Sequence, residues 1–199
     1  MFVCKLVIVG ESGVGKTSLI MQYITGKILE STEPTLGASV NFKKITLEDA
    51  EATLEIWDTA GQERYNFMMQ MYYRNAKAVV VVYDITDPST FRLCKRWVSD
   101  VCKKAPPGIL MVLVGNKSDL TDQRGVDITE AAAFATENGM LYMEASAKSA
   151  NCVNDLFLAI AMNVPKAEMI VQDRGIDISK DSKDKSKIRE EEKKRSCCK

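Results

Sequence analysis

The stretch Gly10-Glu11-Ser12-Gly13-Val14-Gly15-Lys16-Thr17 sets glycines, a lysine and a hydroxyl at a spacing suited to holding an anion. Glycines let the backbone curl so that successive N–H groups converge as a nest. The N-terminus of a following helix adds unpaired donors and partial positive charge. The backbone of Ser12, Gly13, Val14, Gly15, Lys16, Thr17 and Ser18 would line such a cradle. Lys16 would reach the β- and γ-phosphates, and the Thr17 hydroxyl would ligate Mg²⁺. The plain alternative is a glycine-bearing turn between a strand and a helix. The flanks favour a phosphate loop: apolar Leu6-Val7-Ile8-Val9 precedes it, and Leu19, Ile20, Tyr23 and Ile24 follow at helical spacing.

Three further strings carry chemistry. In Trp57-Asp58-Thr59-Ala60-Gly61-Gln62, an Asp directly after an apolar strand can hold Mg²⁺ through water. Gly61 leaves room for its N–H to approach a γ-phosphate, and Gln62 is placed to orient an attacking water. Taken alone, Asp58 is equally well a cap or turn residue. In Asn116-Lys117-Ser118-Asp119, the Asp119 carboxylate can accept from both N–H donors of a guanine edge. Adenine has no matching donor pair and would leave that carboxylate desolvated and unpaired. Asn116 would tie this loop to the phosphate loop, the Lys117 stem would lie along the base, and Ser146-Ala147-Lys148 would bring a backbone N–H to the guanine carbonyl. Either string alone is an ordinary polar turn. In this order, all at strand exits, they converge on a guanine nucleotide.

The elements that must position these strings follow from periodicity. Residues 3–9 read as a buried strand and 16–25 as a helix, with Gly26 as its stop. Residues 27–34 have no clear period and read as a loop. Residues 39–47 and 52–57 are extended, separated by Glu48-Asp49-Ala50-Glu51, which predicts an antiparallel pair. The Met- and Tyr-rich segment 67–75 predicts a short helix, either packed in the core or offering an adaptable partner surface. Residues 78–83 predict a buried parallel strand, and Asp87 with Pro88 starts a helix running to about Lys104. Cys94 and Cys102 on that helix are expected as core or half-buried thiols. Residues 109–114 and 140–143 predict two more strands. A helix opened by Asp127 and Glu130 lies between them, and a last helix, 151–164, is closed by Pro165. Strands alternating with helices predict an α/β fold: a three-layer, doubly wound, mostly parallel six-stranded sheet with one antiparallel edge strand and helices on both faces.

Composition bounds the rest. The chain has 199 residues, with 46% hydrophobic and 27% charged, which suits one globular domain and a tail. Lys+Arg and Asp+Glu balance at 27 each, so no global field points to nucleic acid. The absence of His removes His-based triads and the commonest zinc ligand. Met1-Phe2-Val3-Cys4 leads straight into the first strand, so no leader peptide is expected. The six Cys lack metal-binding spacing, which fits free thiols in a reducing compartment.

Through these strings the chain resembles the Ras-like small GTPases over roughly residues 3–164, and within them a Rab protein. The pointers to the Rab branch are residues 56–65, Met71-Tyr72-Tyr73-Arg74, Val82-Tyr83-Asp84-Ile85-Thr86 and the paired cysteines Cys197-Cys198. Thr35-Leu36-Gly37-Ala38-Ser39, with Met71 to Arg74, is most similar to the early-endosomal branch. The resemblance implies that Pro34-Thr35 forms the first switch, with Thr35 giving its hydroxyl to Mg²⁺ and its N–H to the γ-phosphate. Asp58, Gly61 and Gln62 would form the second. Hydrolysis would be in-line attack by water, slow because no arginine in the matched motifs acts as a finger in cis. It implies GTP/GDP and Mg²⁺ as cofactors, and as partners an exchange factor, a GTPase-activating protein, effectors, a prenylation escort and a GDP-dissociation inhibitor. The G domain would be monomeric. Effectors would read a surface trio, Val40, Trp57 and Tyr72. Two departures stand out. Ile28 lies near where the family has an aromatic over the guanine face, and Val40 lies where Rabs usually have Phe.

The G domain is expected over residues 1–165 and a disordered tail over 166–199. Residues 180–199 hold nine Lys/Arg against five Asp/Glu, net +4, with one Ile and no aromatic, too little to offset ordering entropy. Ser196 stands fourth from the end, so a C-a-a-X box fails. Cys197 and Cys198 are either two exposed thiols or, as the resemblance implies, prenylation sites anchoring the chain to the cytoplasmic face of intracellular membranes, endosomes among them. Two rival functions stay open: a nucleotide-locked recruitment module with negligible turnover, and an ATP-binding P-loop enzyme, which Asn116, Lys117 and Asp119 oppose.

Overall fold

The computed structural model describes residues 2–28, 35, 37–48, 50–61 and 69–164. The chain divides into two units, Met1–Lys166 and Ala167–Lys199. The second lies outside the described residues, as do the sequence expectations for Pro34, Gln62, Cys197 and Cys198.

The elements run β1 (Phe2–Gly10), α1 (Lys16–Thr25), β2 (Ala38–Thr46), β3 (Glu51–Thr59), α2 (Met69–Tyr73), β4 (Ala78–Asp84), α3 (Pro88–Lys104), β5 (Leu110–Asn116), α4 (Ile128–Glu137), β6 (Leu141–Glu144) and α5 (Ala150–Asn163). One sheet in the order β2-β3-β1-β4-β5-β6 holds all six strands. Among the described residues only the β2–β3 pairing is antiparallel, and it places β2 at an edge. This is the doubly wound sheet that the alternation of periods predicts.

Alternation along the central strands divides the core between the two faces. Cys4, Leu6 and Ile8 of β1 and Val80 and Val82 of β4 pack with Leu19, Ile20 and Tyr23 of α1 and with the apolar face of α5. Their neighbours Val7, Val9, Val79, Val81 and Tyr83 pack on the opposite side with residues of α2, α3 and α4. A strand buried on both faces reads as an unbroken apolar run, which is what Ala78–Asp84 is. Tyr23 and Phe157 stack with ring centroids 4.0 Å apart, joining α1 to α5.

The helix boundaries have local causes. Gly26 takes φ 69° and donates to the Gln22 carbonyl, closing α1. The Asp87 carboxylate accepts from the Ser89 N–H at 2.8 Å, with Pro88 in the first turn of α3. Asp127 accepts from the N–H groups of Thr129 and Glu130 at the start of α4.

One expectation is corrected, and one left open is resolved. Cys102 is exposed, whereas Cys94 is buried, because it follows buried Val101 by one residue and so turns off the apolar face of α3. The Met/Tyr segment separates residue by residue: Met69, Tyr72 and Tyr73 are core, and Met71 is 67% exposed.

Candidate nucleotide and metal site

All four strings lie at or just beyond the C-terminal ends of parallel strands, where doubly wound sheets bind ligands. The phosphate loop leaves β1 at Gly10, whose added Cβ would stand 2.3 Å from the Val82 carbonyl oxygen, so any side chain there collides with β4. At the other end of the loop, Gly15 has φ 92° and a Cβ there would meet the Asn116 Nδ2 at 2.3 Å. Between them the Lys16 ammonium donates to the carbonyls of Gly10 (2.9 Å) and Glu11 (2.8 Å). Lys16 is 6% exposed, and burial pushes its pKa down to about 8, against the pull of Asp58 and Glu11.

A cluster of oxygens from three separate segments sits beside the loop. The Thr17 hydroxyl donates to Asp58 Oδ2 at 2.7 Å and lies 3.0 Å from the Thr35 hydroxyl. Asp58 is 1% exposed, and burial raises its pKa, opposed by Thr17, Lys16 and Thr35. Its second oxygen, Oδ1, is buried and has no hydrogen-bond partner among the described residues. A buried carboxylate oxygen without a donor is costly. Two hydroxyls and that carboxylate are the hard oxygen donors that Mg²⁺ takes alongside phosphate oxygens and water, so these residues fit the ion. Gly61 closes the same corner: a Cβ on it would lie 2.3 Å from the Ser12 nitrogen and 2.5 Å from the Glu11 carbonyl carbon.

The base end is built differently. Asn116 Nδ2 donates to the Val14 carbonyl at 2.7 Å, joining β5 to the phosphate loop across 102 residues of sequence. Lys117 takes the left-handed conformation, φ 65°, and its ammonium pairs with Asp84 Oδ2 at 2.5 Å. Asp119 receives the Ser146 hydroxyl on Oδ1 at 2.7 Å and the Lys148 ammonium on Oδ2 at 2.8 Å. Desolvation works to raise its pKa, but those bonds prevail and hold it below the ordinary carboxylate value. The Ser146 hydroxyl in turn accepts from the Lys148 N–H, 3.1 Å. A groove of about 160 Å³ opens between these loops, lined among others by Gly15, Ile28, Asn116, Leu120 and Ala147. Ile28 is 55% exposed at its rim.

The structure therefore gathers Lys16, Thr17, Thr35, Asp58 and Gly61 at one end and Asn116, Lys117, Asp119, Ser146, Ala147 and Lys148 at the other. Sequence reasoning missed Asp84. Its signal was its place at the exit of β4, in register with Asn116 of β5. The three side chains expected at the effector surface differ in exposure. Val40 is 38% exposed, Trp57 is half-buried, and Tyr72 is only 6% exposed, its ring tilted against Trp57 at 5.7 Å. Among the described residues, no three His, Cys, Asp or Glu side chains cluster as a further metal site.

A nucleoside di- or triphosphate laid along this edge would have its phosphates at Lys16, its cation at Asp58 and its base at Asp119. Residues 5–166 match the family model described as the Ras family. The chain belongs to the Ras family: it is a small GTPase that binds guanine nucleotide and acts as a switch.

Proposed function

We propose that this protein is a Rab-type switch that hydrolyses GTP slowly and recruits effectors to the cytoplasmic face of intracellular membranes, endosomes among them. The observation that carries the switch is the meeting of Thr17, Thr35 and Asp58 oxygens, linked by contacts of 2.7 and 3.0 Å, from sequence-distant segments. Thr17, Thr35 and Asp58 would hold a cation and γ-phosphate there and so join α1, the segment at Thr35 and the exit of β3, a link that would be released without the γ-phosphate. Bound Mg²⁺ neutralises phosphate charge and orients the terminal phosphoryl group. Lys16 supplies positive charge to the same phosphates, and the N–H groups of Thr35 and Gly61 donate to the γ-phosphate. Gln62 orients the attacking water, and an activating protein supplies the arginine finger that no arginine of the matched motifs provides in cis.

Specificity for guanine rests on Asp119, which Ser146 and Lys148 hold ionised and aimed into the groove. Cys197 and Cys198 accept prenyl chains, two of which suffice for stable anchoring, and the basic tail adds attraction to anionic lipid. A prenylation escort, a GDP-dissociation inhibitor and an exchange factor are the regulators this reading calls for. The patch at Val40, Trp57 and Tyr72 is where effectors would read the nucleotide state.

Single-turnover phosphate release from GTP-loaded protein tests the enzymatic reading, with Gln62→Leu as the comparison. Slow release in the wild type, accelerated by an activating protein and abolished by the substitution, is the expected result. Wild-type protein that releases no phosphate under either condition would make it a nucleotide-locked recruiter instead.

A further inference from the structure

The structure assigns Arg124, Glu144 and Tyr142 as positioning residues that set the spacing of the two base-reading loops. This rests on the guanine-binding reading of the groove. Tyr83 of β4, Gly115 of β5 and Glu144 of β6 lie side by side in register across three strands. Gly115 is a gap in that row: a Cβ on it would stand 2.7 Å from the Tyr83 hydroxyl oxygen. Through the gap the Tyr83 hydroxyl reaches that of Tyr142, 3.2 Å away, and Tyr142 donates to Glu144 Oε1 at 2.9 Å. The Arg124 guanidinium grips the same carboxylate with two bonds, 2.7 Å to Oε1 and 2.8 Å to Oε2.

None of these residues lines the groove, yet they join its two walls. Arg124 follows Asp119 by five residues, after a 3-10 turn at Thr121–Gln123, and Glu144 precedes Ser146 by two. A fork-shaped, charge-assisted pair fixes distance and orientation together, which a point charge does not. The pair is only partly exposed, 24% and 17% for the two side chains, so solvent screens it less than a surface bridge. Above it, Asp119 meets Ser146 and Lys148 directly, but those groups must also accommodate the base. The lower clamp has no such second duty. It holds the loops at one separation whether the groove is filled or empty.

The test compares dissociation of fluorescent GDP and IDP, which lacks the exocyclic amine that Asp119 would accept from, in wild type, Arg124→Gln, Arg124→Lys and Tyr142→Phe. Arg124→Gln should speed GDP release about tenfold and IDP release by less, because IDP keeps the ring N–H donor but lacks the exocyclic amine, so the GDP/IDP discrimination narrows. Arg124→Lys keeps the charge without the fork and should recover only part of it, and Tyr142→Phe should erode it by about two- to threefold. Equal acceleration of both nucleotides, or no change in either, in Arg124→Gln and Tyr142→Phe proteins that melt cooperatively overturns the assignment. Should Arg124→Gln not fold, Tyr142→Phe decides alone. Wild-type protein that fails to distinguish GDP from IDP and ADP would instead overturn the guanine reading itself.

Discussion

Two aspartates, one beside the phosphate loop and one in the groove at Asn116 to Asp119, show how differently a carboxylate can be prepared. Asp119 has both oxygens engaged, by Ser146 and by Lys148, and its pKa is held down. Asp58 is more deeply buried, has one oxygen without a partner among the described residues, and has its pKa pushed up by desolvation. The first would serve as a template, its charge and direction fixed by the protein so that a base of the wrong donor pattern would be rejected. The second has an oxygen left over and would serve as a receptor for an external cation. In a switch these properties belong at these ends: base recognition stays constant through the cycle, while the phosphate end must hold its ligand in one state and lose part of it in the other.

Substitutions can break this contrast at either end. Asp119→Asn exchanges one acceptor oxygen for a donor, so GDP affinity should fall by about 10³-fold or more while xanthosine diphosphate gains. Competition binding with the two nucleotides measures it, and an unchanged preference would remove Asp119 from base recognition. Gly61→Ala puts a Cβ 2.3 Å from the Ser12 nitrogen, so the phosphate loop or the segment after β3 must shift. The ratio of GTP to GDP affinity should drop about 10- to 100-fold, read by nucleotide exchange; equal losses for both would show a defect not confined to the γ-phosphate. Ile28→Phe enlarges the apolar cover at the groove rim and should slow GDP release about two- to tenfold. A faster rate would mean that the rim does not face the base.

The smallest effect concerns the clamp beneath the base loops. The bonds from Arg124 hold Glu144 below its ordinary pKa of 4.5, against desolvation. A carboxylate whose folded-state pKa is lowered stabilises the fold fully above its unfolded value and loses that contribution as pH falls through the lower, folded value. Between about pH 5 and pH 3 the wild type should therefore lose a few degrees more of melting temperature than Glu144→Gln, about 2–4 °C for a domain of this size. Parallel melting curves across that range would show that the pair contributes nothing to stability.

Much of this architecture is legible in the amino-acid order. Apolar runs and changes of period mark β1, β4, β5 and α5 within two residues, because a strand buried on both faces and a helix with one apolar stripe leave different patterns. Helix starts are equally plain where an Asp and a Pro or Thr act on their immediate neighbours, as at Asp87 and Asp127. The positions that periodicity misjudges are those where one residue's rotation about an axis decides burial. Cys102, next to buried Val101, turns outward.

By itself the sequence determined the order of elements, the phosphate loop and the two polar turns at Asn116–Asp119 and Ser146–Lys148. Each is a local arrangement in which residue type and spacing within a few positions fix backbone geometry and donor direction. Only the tertiary structure decided that Thr17 and Asp58, 41 residues apart, share a hydrogen bond, and that Arg124 and Glu144 form a clamp beside the gap at Gly115. The reason is physical: periodicity reports which face of an element is buried, but not which strands are neighbours or in what register. That choice is made by the packing of the whole sheet.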